Sequence, residues 1–244
     1  MKTERVKIVH IITSLGYGGA EKLLLDLAFR IDRERFDVSV ITVCGGGPLE
    51  AKFREVGVSV LVNKKSTRLG LGVLFRIYRQ LREIGPDIVH THLFAGDTWG
   101  RVAALLAGVP VIISTAHNLD VDEGRLKKFI KRVLSFWTYK IIAVSRAVRR
   151  YCVKVEGIAA SRIDVIYNGV DTAQFLEIDS PIFSRKPYVI SLIGRLAPQK
   201  GHAVFFQALS KMKNKNVLVR VIGDSPLAEQ LRKEADAIGS RAVG

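Results

Sequence analysis

"VHIITSLGYGGAEK", residues 9–22, decides how this chain is read. A β-branched apolar run ends in Thr13 and Ser14. Three glycines follow within four residues (Gly16, Gly18, Gly19), and Ala20 and Glu21 open a helical pattern. A strand that stops on glycines and restarts as a helix is the plan of an anion-binding turn. Gly18 and Gly19 are expected to let the backbone approach a ligand and to reach positive φ. The free N–H groups of a helix beginning near Ala20 would face the ligand. Glu21 falls in the first turn, where a carboxylate is favoured. It either caps the helix or holds the loop or a substrate hydroxyl.

Two familiar phosphate turns do not fit. A G-x-G-x-x-G fingerprint starting at Gly16 requires glycine at 21, where Glu21 stands. The next strand ends "VITVCGGG", without the acid that would take the ribose hydroxyls of a dinucleotide. No G-K-[ST] follows the glycines, which excludes a P-loop.

Working outward, short β-branched runs alternate with amphipathic stretches. "VKIVHII", "FDVSVITV", "VSVLV", "DIVHTH", "PVIISTAH", "KIIAVS" and "IDVIY" read as strands, mostly continuous apolar runs as in parallel sheets covered on both faces. "AEKLLLDLAFRI", "LGVLFRIYRQLREI", "TWGRVAALLAG" and "RLKKFIKRVLSFW" show helical spacing. This order predicts an α/β fold with a doubly wound parallel sheet over residues 1–171. Residues 172–186 lack periodicity and carry prolines, so they read as a linker. From 187 to 244 the strand–Gly–helix plan restarts but yields only two strands, too small a core for an independent domain of ordinary stability.

The chain carries 38 Lys+Arg against 23 Asp+Glu, a formal charge of +15, which points to an anionic partner. Its two cysteines are far apart and imply neither a disulfide framework nor a zinc knuckle. No apolar run reaches the roughly 18 residues of a membrane span. The expectation is a cytoplasmic chain, peripheral on the cytoplasmic face of the membrane.

"SLGYGGAEK", "DIVHTHL", "VIISTAHNL", "IIAVSRAV", "VIYNGVD" and "LIGRLAPQKG" occur in the order and spacing of family 4 glycosyltransferases, which the chain resembles over nearly its whole length. The resemblance implies a GT-B fold, two Rossmann-like domains facing across a cleft. It implies retaining transfer of a hexosyl group from a nucleotide-diphosphate sugar to a lipid-linked or saccharide acceptor, in cell-envelope or polysaccharide biosynthesis. Residues 1–171 would be the acceptor-side domain and 187–244 part of the nucleotide-sugar domain. The opening glycines would meet the donor phosphate or the acceptor. The family's glutamate pair, E-x7-E, is not reached before Gly244. The chain is therefore expected to be truncated at its C-terminus, with weak or absent turnover on its own.

Candidate residues follow. In "GRLAPQKG" a strand ends at Gly194 and a helix starts after Gly201, so Arg195 and Lys200 can converge on a diphosphate leaving group. The resemblance gives them the donor pyrophosphate. His117 ends a strand at the carboxyl edge where open α/β sheets bind ligands; the resemblance gives it contact with the donor sugar and a part in transition-state stabilisation. His90 and His92 share a strand face. With His117 they could ligate a metal, but capping the sheet edge is the preferred reading, and neither metal nor cofactor is expected. Asn168 and Asp171 in "NGVD" form a turn, or line the cleft. Ser225 stands where the family commonly has glycine. Residues 125–155 hold ten Lys/Arg and no acid, with Phe129, Phe136, Trp137 and Tyr139. They read as a basic amphipathic helix for an anionic membrane or a lipid diphosphate, or as a packed helix with its aromatics inward. No nucleic-acid motif is present. The alternative function is a non-catalytic basic α/β module that binds anionic membrane or a phosphorylated acceptor.

Overall fold

The structure is a computed structural model. It describes residues 4–64, 70–119, 124–174, 188–197, 200–213, 217–223 and 228–237. The chain divides into two compact units, Met1–Asp171 and Thr172–Gly244.

The first unit runs β1 (Val6–Ile12), α1 (Gly19–Arg30), β2 (Phe36–Thr42), α2 (Glu50–Glu55), β3 (Ser59–Val62) and α3 (Leu71–Ile84). It continues with β4 (Ile88–His92), α4 (Phe94–Ala107), β5 (Val111–Ala116), α5 (Arg125–Ser135), β6 (Lys140–Ala143), α6 (Arg146–Lys154) and β7 (Ile163–Val165). All seven strands are parallel, in the order β3-β2-β1-β4-β5-β6-β7. The order reverses between β1 and β4. Such a switch point opens a crevice at the strands' carboxyl ends, where ligands of open α/β sheets bind.

Alternation along the strands splits the core in two. Val9, Ile11, Ile41, Val43 and Val89 pack on α3 and α4, through Val73, Ile77 and Leu81 of α3 and Ala103 and Ala104 of α4. Ile12, Val38, Val40 and Val60 pack on α1 and α2, through Leu24, Leu25, Ala28 and Phe53. The spacing of Val73, Ile77 and Leu81 is the i, i+4, i+8 stripe that makes α3 helical. Gly85 stops that helix in a left-handed turn, φ 59°, whose N–H bonds to Leu81 O. Burying a side chain such as Phe53, which is wholly inaccessible, stabilises by about 1.5–3 kcal/mol.

The helix α4 lies unusually close to β1. A Cβ on Gly96 would sit 2.7 Å from Ile12 Cα, and one on Gly100 would sit 2.9 Å from Thr91 Cγ2. Glycine at both positions is what lets this helix seat against the switch-point strands.

The second unit contains β8 (Tyr188–Ile193), α7 (His202–Lys211), β9 (Val217–Ile222) and α8 (Ala228–Ala237). β8 and β9 pair in parallel. Phe206, Leu209 and Val219 form its small core. Both units are thus Rossmann-like α/β layers.

Candidate functional site

The opening loop is built differently from the expectation. α1 begins at Gly19, and Gly18 is its N-cap in extended conformation, φ −142° and ψ 164°. None of Gly16, Gly18 and Gly19 has positive φ. In the next loop, by contrast, Gly45 (φ 123°) and Gly47 (φ 159°) do have positive φ. That loop is stitched to the first one. Cys44 N donates to Thr13 O (2.7 Å), Leu15 N to Gly46 O (3.2 Å) and Leu49 N to Leu15 O (3.1 Å). A Cβ on Gly47 would overlap the Leu15 carbonyl. The C-G-G-G run therefore shapes the opening loop from behind. Glu21, at the third helical position, folds its carboxylate back over Gly18. Around Gly19 the space for a side chain is open.

Beside this loop, at the ends of β1, β4 and β5, lie four of the chain's five histidines. Parallel pairing sets His10 opposite His90. His10 Nδ1 lies 3.1 Å from His92 Nε2, and His92 Nδ1 lies 3.1 Å from His117 Nε2. His90 Nε2 is 2.7 Å from Thr115 Oγ1. The rings of His90 and His92 are 4.3 Å apart, centre to centre. His10 and His92 are buried. Burial lowers the pKa of His10 from 6.5 to about 4. Burial first, then repulsion from His10 and His117, holds His90 well below 6.5. Burial, then repulsion from His90, His10 and His117, does the same to His92. These three rings are neutral at physiological pH.

Neutral imidazoles can ligate a metal, and one ring nitrogen from each of His10, His90 and His92 falls within a 4.8 Å cluster. The third ligand expected from the sequence was His117; strand register puts His10 there instead. His10 Nδ1 and His92 Nε2 lie within hydrogen-bonding distance of each other. The geometry reads as a hydrogen-bonded chain. His10 had a signal in the sequence: "IVH" occurs at 8–10 and again at 88–90, and the two triplets pair in register.

The turn from β4 into α4 is strained. Leu93, with φ 59° and ψ 160°, is the one non-glycine residue at positive φ among the described residues, and such a conformation costs about 1–3 kcal/mol. It follows His92 directly. On the opposite sheet face, Asp97 is buried and ion-paired with the buried Arg101. Its Oδ1 accepts from Thr91 Oγ1 (2.7 Å) and Ser114 Oγ (2.5 Å). Arg101 also donates to Thr138 Oγ1 (3.2 Å). Sequence reasoning missed this network because it began the helix at Thr98, one residue after Asp97. A cavity of about 70 Å³ adjoins it, lined by His117 and Asn118 and by the Lys131–Glu156 ion pair (3.0 Å).

Asn168 is exposed, and Asp171 pairs with Arg30 of α1 at 2.5 Å. Residues 125–155 hold the expected helix and the expected strand, and a second helix besides. They form α5, β6 and α6, because "KIIA" at 140–143 pairs with β5 and buries Ile141 and Ala143. The aromatics do not point inward. Phe129 (62%), Phe136 (61%), Trp137 (58%) and Tyr139 (67%) are exposed, with Leu126 (71%), beside Arg125, Lys127 and Arg132. Among the described residues no helix is long and apolar enough to cross a membrane.

In the second unit, Gly194 follows β8 with φ 154° and donates to Ile222 O (2.9 Å) at the end of β9. Arg195 and Lys200 are exposed, and the Lys200 stem lies over Gly194, 3.8 Å from where a Cβ would stand. Gly201 caps α7 with φ 73°. Lys200 thus directly precedes the start of a helix whose free N–H groups attract anions. Ser225 lies outside the described residues.

The sequence profile described as Glycosyltransferase Family 4 matches residues 17–174. The chain is 26% identical over 250 residues to the UDP-Gal:alpha-D-GlcNAc-diphosphoundecaprenol alpha-1,3-galactosyltransferase of Escherichia coli, covering 93% of this chain and 64% of that protein. It is 24% identical over 245 residues to an alpha-1,4-N-acetyl-D-galactosaminyltransferase of Campylobacter jejuni that acts on a PP-undecaprenol-linked saccharide, covering 96% and 66%. The chain thus spans about two thirds of these relatives' lengths. Among solved structures, HepE of Anabaena in complex with UDP and glucose superposes with a TM-score of 0.82 at 22% identity, covering 98% of this chain and 68% of that one. The lipopolysaccharide outer core galactosyltransferase WaaB gives 0.69 at 20%, covering 98% and 67%. The fold is that of the GT-B glycosyltransferases.

Proposed function

The chain belongs to glycosyltransferase family 4, and from that premise we propose that it transfers a hexosyl group from a nucleoside-diphosphate sugar to a lipid-linked saccharide, with retention, in cell-envelope polysaccharide biosynthesis. The observation that carries this reading is the carboxyl edge of the first unit. There the opening loop, His92 and His117 follow the adjacent strands β1, β4 and β5 at the switch point. The relatives' names supply the classes of substrate: a UDP-sugar and undecaprenyl-diphosphate-linked acceptors.

In this reading the acceptor oxygen forms the new bond to the anomeric carbon on the face from which the diphosphate oxygen departs, and the hydroxyl proton passes to that departing oxygen. Negative charge grows on the departing diphosphate, and Arg195, Lys200 and the N-terminus of α7 stabilise it. His117 hydrogen-bonds the donor sugar. Gly18, Gly19 and Glu21 border the ligand, with Glu21 holding the loop closed over its cap. Asn168 lines the site.

The exposed aromatic and basic surface of α5 and the residues after it supports peripheral contact with an anionic membrane, where a polyprenyl acceptor resides. Aromatic rings beside lysines and arginines, all turned outward, favour this over a packed helix.

Calorimetric titration with UDP tests the donor assignment. Arg195→Ala and Lys200→Ala are each expected to weaken binding by about tenfold to a hundredfold, as for lost charge-assisted hydrogen bonds. Undiminished affinity in the double variant would refute it.

A further inference from the structure

We propose that the exposed stripe of α3 around Phe75 is a second lipid-inserting surface, so that the first unit meets an anionic bilayer with the helix layer α3 to α6 and turns α1 and α2 to water. The inference extends the membrane contact read for α5 and does not depend on sugar transfer.

The strand order reverses between β1 and β4, so right-handed crossovers send α1 and α2 to one face of the sheet and the later helices to the other. The two halves of the core follow this division. α5 lies beside α4, and Lys128 of α5 sits over the Tyr151 ring of α6 at 5.8 Å. Charge is divided in the same way. α3, α4, α5 and α6 carry thirteen Lys/Arg and two acids, one of which, Asp97, is buried against Arg101. α1 and α2 carry four of each. The two faces of one sheet therefore differ in what they can attract: one is strongly basic and the other is balanced.

The basic face also exposes apolar side chains together. Leu71 and Phe75 of α3 are exposed, and with half-buried Leu74 and Tyr78 and exposed Leu106 of α4 they line an open groove. The rings of Phe75 and Tyr78 stack, 6.3 Å between centres. Val73, Ile77 and Leu81 hold the opposite side of α3 against the sheet, so this stripe has no core left to enter. Arg79 and Arg82 follow Phe75 and Tyr78 by four residues each, which sets a cation beside each ring on the helix surface. A contiguous apolar patch rimmed by charge marks an interaction site. The charge selects the occupant. A second copy of the chain would set these cations against their own kind. Anionic headgroups neutralise them while the rings enter the boundary of the acyl chains. α5 offers the same pairing, Leu126 and Phe129 beside Arg125, Lys127 and Arg132, on the far side of α4.

The test is partition of the chain onto vesicles of phosphatidylcholine with and without phosphatidylglycerol, in the absence of any sugar nucleotide. Phe75→Ser removes the ring at the centre of the stripe. Phe29→Ser is the control, because Phe29 on α1 is as exposed (69% against 60%) but lies on the balanced face. Both side chains are outside the core, so both variants should fold and melt as the wild type does. The expected result is that the wild type binds only the anionic vesicles, that Phe75→Ser weakens its partition by about threefold to tenfold, as for loss of one partly buried ring, and that Phe29→Ser changes nothing. Equal partition of Phe75→Ser and wild type would overturn the proposal, and would leave the α5 contact standing if Trp137→Ser still weakens binding. Equal weakening by Phe29→Ser would overturn the sidedness. A wild-type dimer in sedimentation that Phe75→Ser dissociates would assign the stripe to a second copy and overturn it as well. So would a wild type that ignores anionic vesicles. No arm involves transfer, so these failures are separate from failure of the proposed reaction.

Discussion

Replacing Arg101 with methionine removes a buried cation and keeps most of its volume. In the wild type its side chain is 2% exposed and that of its partner Asp97 is 9% exposed. Arg101→Met leaves the Asp97 carboxylate with two hydroxyl donors, Thr91 and Ser114, and without its counter-charge. Stranding one partner of a buried ion pair costs about 3–5 kcal/mol. For a cooperative unit of this size, each kcal/mol lowers Tm by about 2–4 °C, so the variant should melt roughly 6–20 °C below wild type. The double variant Asp97→Leu/Arg101→Met removes both charges and should recover much of the loss, because the pair's attraction largely offsets its own desolvation. Asp26→Asn breaks an exposed pair, Lys22–Asp26, and serves as the control; it should shift Tm by no more than about 2 °C. Calorimetric melts of the four proteins decide the matter. If Arg101→Met melts with the control, or the double variant melts below the single, Asp97 and Arg101 are not a desolvated pair and the account of β4, β5 and α4 is wrong.

Acid should destabilise the first unit. His10 titrates at about 4 folded and at 6.5 in its ordinary state, so the unfolded chain binds more protons between these values. The stability is complete above about pH 6.5 and is lost as pH falls toward 4; for His10 it is on the order of 3 kcal/mol. His10→Phe should flatten Tm against pH over that window, and an equally steep profile would contradict the burial argument. Gly96→Ala forces a methyl onto Ile12 Cα and Ile11 O; the overpacking should cost about 1–3 kcal/mol in urea unfolding, and an unchanged midpoint would refute the close approach. Gly19→Val meets open space at a position without positive φ, so its Tm should stay within about 2 °C of wild type while donor or acceptor affinity falls; normal affinity would remove the opening glycines from the site. Vesicles rich in anionic lipid should float with the chain at low salt and release it at high salt, and Trp137→Ser should weaken the association; flotation indifferent to anionic lipid would contradict the membrane surface.

What was legible in the sequence was local. The β1 and α3 boundaries coincide with the quoted runs, because continuous apolar strands and a Val73–Ile77–Leu81 stripe are signals carried by neighbouring residues. α2 was not seen, since six residues with one buried side chain, Phe53, show no period. α6 was absorbed into a longer basic segment because only Val148 and Cys152 of its nine residues are buried. The strand-end placement of His117 was legible, but its partners were not. His10 and His92 meet through parallel pairing of segments 82 residues apart. The positive-φ glycines were assigned to the wrong loop for the same reason: Gly47 needs its conformation because Leu15 lies against it, a contact made only in the folded chain.

Sugar transfer under single-turnover conditions tests the central claim most directly. The chain, in excess over a polyprenyl-diphosphate saccharide presented in anionic vesicles, is mixed with a panel of nucleoside-diphosphate hexoses, and the acceptor is weighed by mass spectrometry. With protein in excess, even slow transfer is visible. The account predicts that one donor adds a single hexosyl residue, and that His117→Ala slows the addition by about a hundredfold or more, as for other lost transition-state contacts. Transfer by His117→Ala at the wild-type rate would contradict it.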